Sequence, residues 1–252
     1  MKSLRHDFLF LVFLLGTAPL QAQAPAAPPV FVEETLKFTM TIMGITGGEL
    51  TLSARHAELD GKPVYKFELS AISNEMLSKI FLVRDYIASW VDPQTFRSLR
   101  YEKHTVEGKR VRDRRIDFFY GEGVARRRDD GKVIPITDPT FDELSSVYYI
   151  RRLDLSATTP VSINVLSKKV VSVRVDVQAR ETVTTPAGTF RTIRVEPKST
   201  ESGLIGKGKN LVLWVTDDER KMPVQIRSKL KVGTLIGKLR AVEKSGPAAA
   251  SF

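Results

Sequence analysis

Residues 222–232 read MPVQIRSKLKV. Within them Val224, Ile226, Leu230 and Val232 alternate with Gln225, Arg227, Lys229 and Lys231. A period of two is the pattern of a strand with one buried and one wet face. Working outward, Leu211-Val212-Leu213-Trp214-Val215 reads as the strand before it, and Val232 to Val242 as the strand after. The turn Thr185-Pro186-Ala187-Gly188-Thr189-Phe190 opens the region. Thr184 to Val242 is therefore one wall of a sheet.

The same alternation extends upstream. Leu36, Phe38, Met40 and Ile42 share one parity, and Leu50, Leu52 and Ala54 another strand, with Gly47-Gly48 read as the turn between them. Asp60-Gly61 is a hairpin signal, and Tyr65, Phe67, Leu69 and Ala71 follow it. Phe81 to Val91, Leu99 to Val106, Lys109 to Tyr120, Val124 to Arg128 and Lys132 to Ile136 read as further strands. Val161 to Leu166 and Val170 to Ala179 come next, the latter with Val171, Val173, Val175 and Val177 on one face. Ser73 to Ile80 fits one or two turns of helix. Asp138 to Arg152 breaks the rhythm: Phe141, Leu144, Val147, Tyr148 and Arg151 recur at helical spacing, Thr140 with Glu143 suits a capping box, and Arg151 suits the last turn.

Some dozen strands joined by hairpins, with one helix, predict a mainly β fold: a strongly curved antiparallel sheet, an open or closed barrel, with one central helix near 140–152. Too few helices are present for a parallel sheet. The expected organisation is a signal peptide over 1–22, an Ala/Pro-rich linker over 23–32, a single β-rich domain over 33–244 and a disordered tail over 245–252. The first segment has a positive start at Lys2 and Arg5, an apolar run from Phe8 to Leu15 and small residues at Ala22 and Ala24. That is the layout of a cleavable signal peptide, and it predicts export to a periplasm.

The 252 residues are 42% apolar, enough for a full core, and include no cysteine. Disulfides, thiolate nucleophiles, Cys-ligated zinc and a lipid-modified N-terminal cysteine are excluded together. The net charge is +10. In an exported chain a basic balance meets phospholipid headgroups and acidic glycans rather than nucleic acid.

Chemistry-bearing motifs are sparse. Gly203-x4-Gly208-Lys209-Asn210 nearly matches a phosphate-binding loop, but lacks the Ser or Thr after the lysine and reads as a basic hairpin loop. His56 and His104 lie on different hairpins without ligand spacing, so no metal site and no cofactor is expected. Asp217-Asp218 reads as a turn, and Asp138 and Asp142 flank a helix start. The basic run 109–115, KRVRDRR, puts Arg110, Arg112 and Arg114 on one face, and Arg126, Arg127 and Arg128 follow. These six are the candidate contacts to an anionic surface. One short helix cannot cover the apolar face of so many strands, so a bound ligand is expected there, with Trp90, Tyr148 and Trp214 as its candidate contacts.

Several motifs in order resemble a bacterial envelope family called domain of unknown function 3108. They are Val91-Asp92-Pro93, Arg100-Tyr101 with Glu107-Gly108, the helix core 144–151 reading LSSVYYIR, the 185–190 turn, and Trp214-Val215-Thr216-Asp217-Asp218 followed by Pro223-Val224. Thr216 stands where the family usually has Ser. The resemblance implies an exported β-rich protein of Gram-negative bacteria and carries no catalytic residue.

The leading functional expectation is a non-enzymatic periplasmic protein that holds a lipid or other apolar envelope ligand on the concave face of its sheet. A second reading is an interaction or scaffold module in envelope assembly that uses its basic surface, with peripheral membrane contact. A third is a carboxylate-dependent glycan hydrolase, which requires Asp142, Asp217 and Asp218 to meet across a cleft.

Overall fold

The computed structural model describes residues 31, 33–156, 159–199, 211–230 and 233–244. The expected signal peptide, the loop 203–210 and the tail lie outside the described residues, as does most of the linker. The chain runs β1 (Glu34–Ile42), β2 (Ile45–Leu59), β3 (Lys62–Ser73), α1 (Glu75–Ile80), β4 (Val83–Val91), β5 (Ser98–Glu107) and β6 (Arg110–Phe119). A 3-10 turn at Tyr120–Glu122 leads to β7 (Val124–Arg127), β8 (Val133–Pro135), β9 (Phe141–Asp142) and α2 (Glu143–Ile150). Then follow β10 (Val161–Leu166), β11 (Val170–Thr185), β12 (Gly188–Ser199), β13 (Leu211–Thr216), β14 (Pro223–Leu230) and β15 (Gly233–Lys244).

The fifteen strands among the described residues form one sheet in the order β8-β7-β6-β5-β4-β3-β2-β1-β15-β14-β13-β12-β11-β10-β9. Nearly every neighbour in space is a neighbour in sequence. The exception is β1 with β15, whose pairing brings the two ends of the domain together, Glu34 opposite Lys244. The sheet is a ring left unclosed at one seam, between β8 and β9. There the chain turns inward and becomes α2. This is the strongly curved, barrel-like antiparallel sheet the alternation predicts. The short parallel pairing of Phe141-Asp142 with Val165-Leu166 was not expected.

Side chains rather than ladder bonds hold the seam. Tyr101, Ile116, Phe118, Ala125 and Ile134, from β5 to β8, form an apolar cluster with Leu166 of β10. Tyr120 Oη donates to Thr140 O at 2.7 Å, and Asn164 Nδ2 to Thr137 Oγ1 at 3.0 Å.

The main core lies inside the ring and is packed around α2. Tyr148 stacks on Phe67 with centroids 4.0 Å apart, and Phe31 sits 5.5 Å from Tyr148. Phe31, within the stretch read as linker, is buried. It enters this end of the barrel together with Phe96 and Met222, which are also buried. The turns at 60–61, 92–97 and 217–222 share this closed end. Toward the opposite end, where the 43–44 and 108–109 turns lie, inner-facing positions become half-exposed: Leu69, Ile87, Ile226 and Leu235 pack against the core without being covered by it.

Two local readings are corrected. Gly47-Gly48 is not the β1–β2 turn; Met43 and Gly44 make it, both with positive φ, and the glycines lie within β2. A Cβ on Gly48 would stand 2.2 Å from Ile72 O, so the glycine is there for close backbone approach. The helix starts at Glu143, and its capping box is Asp142 with Ser145 rather than Thr140 with Glu143. Thr140 Oγ1 is engaged with Thr137 O at 2.6 Å. Arg151 does not serve the helix dipole at the surface. Its guanidinium is buried, ion-paired with Glu34, bonded to Arg220 O and 4.4 Å from the Phe31 ring.

Candidate functional site

Helix α2 is fixed inside the ring by its two acids. Asp142 is wholly buried. Its Oδ1 accepts from the backbone amides of Leu144 and Ser145 at 2.9 and 2.8 Å. Its Oδ2 accepts from the hydroxyls of Ser89 at 2.5 Å and Ser98 at 2.7 Å. Burial raises the Asp142 pKa, and these donors pull it partly back. Glu143 accepts from Tyr101 Oη (2.9 Å), Lys103 Nζ (3.2 Å) and Ser167 Oγ (2.8 Å). It thereby spans the seam from β5 to the β10–β11 turn. Burial, with the Glu143 carboxylate beside it, pushes the Tyr101 phenol well above its ordinary value.

On one side the packing around the helix is incomplete. Ser146, Val147 and Ile150 face Ile163, Val165, Val173 and Leu211 across a cleft of β10 to β13 whose walls are almost wholly apolar. Its cavity volume is about 40 Å³, within about 540 Å³ of empty space counted out to its mouth. That is room for roughly three water-sized groups before the cleft must widen. Ser167, Ser199 and Leu211 lie at its rim, at the ends of strands that point to the open end of the barrel.

Beside this apolar wall the inner face turns polar. Pairing aligns Ile87 with Lys103 and Arg114, then Asp85 with Thr105 and Arg112, then Val83 with Glu107 and Arg110. Tyr101 and Ile116, one step deeper on the same parity, are buried, so these side chains belong to the interior face. Asp85 Oδ1, Thr105 Oγ1 and Arg114 Nε are buried there without a hydrogen-bond partner among the described residues. Burial raises the Asp85 pKa, and Glu107 adds to the shift.

The six arginines therefore do not form one patch. Arg110, Arg112 and Arg114 lie on the inner parity at the open end. Arg126 and Arg128 share the outer face with Asp117, which accepts from Arg100 at 2.7 Å and Arg128 at 2.5 Å. Arg127 is held by Asp129 and Asp130. Arg126 is paired with Glu122.

The three aromatic candidates are likewise dispersed. Trp90 is half-buried on the outer face with Lys66 Nζ 4.9 Å above its ring. Tyr148 is a core residue whose hydroxyl donates to Ser53 O at 3.1 Å. Trp214 is buried, its indole N–H donating to Glu181 at 2.7 Å beneath the Arg227 guanidinium. None of them lines the cleft. The residues that do, Val147, Val165 and Val173, read in sequence only as ordinary apolar parity. The signal that marks the polar wall was the KRVRDRR run itself.

The acids of the hydrolase reading serve separate structures. Asp218 closes the β13–β14 turn by accepting from Thr216 Oγ1 at 2.6 Å and from Arg220 N at 3.1 Å. Asp217 pairs with Arg180, and Asp142 caps α2. His104 is exposed on the outer face 2.5 Å from Asp113. Among the described residues no group of three or more histidines and acids is placed to hold a metal ion.

No curated protein matches the chain. Among solved structures, the beta-barrel-like protein of domain of unknown function DUF1849 from Brucella abortus superposes with a TM-score of 0.64. Identity is 10%, over 86% of this chain and 99% of that one. The hypothetical protein CT021 from Chlamydia trachomatis gives a TM-score of 0.38 at 8% identity, over 85% and 89% of the two chains. The first of these shows a shared barrel-like fold. The model of the family described as protein of unknown function DUF3108 matches residues 37–240, and the chain belongs to that family.

Proposed function

We propose that this protein is an exported, non-enzymatic carrier or sensor of an amphiphile with an acidic head. The observation that supports the reading is a juxtaposition at the open end of the barrel. The apolar cleft between α2 and β10–β13 opens beside an inner wall that carries Lys103, Arg112 and Arg114. The apolar walls suit an acyl chain, the cleft widening to take more than its end, and the basic wall suits a carboxylate or phosphate. The orphaned polar atoms of Asp85, Thr105 and Arg114 mark that wall as a place where a polar group from outside the chain completes the bonding. The site is smaller than a hollow barrel would give, because α2 and the aromatic cluster fill most of the concave face.

The test is native mass spectrometry of the protein purified from its host, paired with titration of a fluorescent fatty acid. Val147→Trp fills the cleft from the helix side and should abolish the complex while leaving the melting temperature within a few degrees. A protein that carries no adduct, and a Val147→Trp variant that binds the fatty acid as well as the parent, would overturn the proposal.

A further inference from the structure

The open end carries a second feature that the cleft does not use. Six large apolar side chains stand in solvent along its rim: Met43, Ile45, Ile72, Met76, Ile80 and Phe81. Their exposure is high even at the tips, 84% for Ile80, 77% for Met43 and 60% for Ile45. The backbone strings them together. Met43 N donates to Thr234 O at 3.4 Å. Asn74 Nδ2 donates to Thr46 O at 2.8 Å and seats α1 beside the β1–β2 turn. Phe81 lies against Gly108, where an added Cβ would come within 3.0 Å of its ring. The row thus runs from the β1–β2 turn, over α1, to the β5–β6 turn. Helix α1 buries none of its own residues, so its apolar positions contribute nothing to the core of this fold.

The unpaired charges around the row have one sign. Glu75 is matched by Lys79 at 3.1 Å, Glu107 by Arg112 at 3.2 Å, and Glu49, across from Ile72, by Arg240 at 2.9 Å. Arg84, Lys109 and Arg110 are exposed and have no acidic partner among the described residues. A contiguous exposed apolar patch rimmed by unpaired cations marks an interaction surface rather than ordinary surface noise. Bulky apolar tips above basic residues match the two halves of a bilayer interface, acyl boundary and anionic headgroup. A second copy docked rim to rim would set the same cations against each other.

We propose that this rim is a docking edge for a lipid bilayer with anionic headgroups. Met43, Ile45, Ile72, Met76, Ile80 and Phe81 enter the interface, and Arg84, Lys109 and Arg110 meet the phosphates. The inference does not depend on the cleft holding an amphiphile, since the rim residues are not cleft residues. Docking would nevertheless bring the mouth of the cleft to the membrane.

The chain has no cysteine, so single-site labelling is clean. In the full chain, Ile80→Cys and, on a strand end away from the rim, Glu58→Cys are each labelled with an environment-sensitive fluorophore. Residues 1–30 are common to both and cancel. Mixed phosphatidylcholine–phosphatidylglycerol vesicles should shift the emission at position 80 to the blue and leave position 58 unchanged. Pure phosphatidylcholine should give a weaker, salt-insensitive response. In the labelled background, Lys109→Ala with Arg110→Ala should weaken binding about thirtyfold, roughly fivefold per basic residue. Phe81→Ser should weaken it at least about tenfold.

Three outcomes would overturn the proposal. One is the absence of a shift specific to position 80, whether the emission moves equally at both positions or at neither. Another is a shift at 80 that grows with protein concentration in the absence of lipid, which would assign the rim to a second copy. The last is a probe at 80 already in an apolar setting at every concentration, which would assign the rim to the chain's own residues 1–30.

Discussion

Arg151 and Glu34 form a buried ion pair that ties the C-terminal end of α2 to the first strand of the sheet. The pair does not stand alone: the guanidinium also donates to Arg220 O at 3.2 and 3.1 Å and lies over the rings of Phe31 and Tyr148. All three guanidinium nitrogens are bonded, as a buried charge requires if it is to be tolerated. Removing one partner strands the other. Arg151→Met should cost about 3–5 kcal/mol in urea unfolding. Arg151→Met with Glu34→Leu should recover much of that loss, and an additive double variant would count against the coupling.

Gly48→Ala should be among the most damaging single-methyl changes in the chain. The new Cβ meets Ile72 O at 2.2 Å and Ser73 Cα at 2.9 Å, both backbone atoms that cannot rotate away. A loss of about 1–3 kcal/mol is expected from overpacking of this kind. Gly61→Ala, at the Asp60-Gly61 turn with open space around it, is the control and isolates the cost of its positive φ. Thermal melts of the two variants side by side make the comparison.

Asp117 gives stability a pH dependence with a definite sign. Burial raises its pKa, but hydrogen bonds from Arg100 and Arg128 outweigh that and hold it below the usual value. Its folded pKa thus lies below its unfolded value of about 3.9. Its contribution is complete above that pH and drains away as pH falls through the folded pKa. The stability gap between the parent and Asp117→Asn should be widest near neutrality and close below about pH 4. A gap constant across the acid limb would remove Asp117 from the account. Glu68, lowered by Lys66, Tyr86 and Arg55 against its burial, should act in the same direction.

The polar wall has its own signature. Arg114→Ala should weaken binding of a fatty acid about tenfold, the worth of one hydrogen bond to a charged group. Binding of the corresponding fatty alcohol should hardly change. Equal losses for both ligands would place the effect in the cleft and not at the headgroup.

The sequence shows the barrel because most strands keep one wet face, β13 with both faces buried being an exception, and a period of two survives any amount of curvature. Val171, Val173 and Val175 face inward as their parity predicts, and all three are buried. The seam is less visible. A two-residue strand such as Phe141-Asp142 has no period to detect, and its parallel partner is a matter of tertiary position. The capping choice at α2 was missed for a related reason. Thr140 and Asp142 are both good N-caps, and only the hydroxyls of Ser89 and Ser98, 53 and 44 residues away from Asp142, decide between them. The rim escaped notice because Ile72 and Phe81 continue strand-like apolar runs. Doubled apolar residues at turns, as in Ile42-Met43 and Ile80-Phe81, were the available clue.

The pairing of β1 with β15 also has a temporal side. Lys37 and Glu243 form an ion pair across 206 residues of chain. Every other ladder in the sheet, the short β9–β10 contact apart, can form by local hairpin closure as the polypeptide emerges. This one must wait for the final strand to be synthesised. Until then β1 has a single neighbour and an open edge. A ribosome that stalls or a chain truncated before β15 should therefore leave a long meander with an unpaired N-terminal strand, and completion of the twelve residues of β15 is the event that turns it into a barrel.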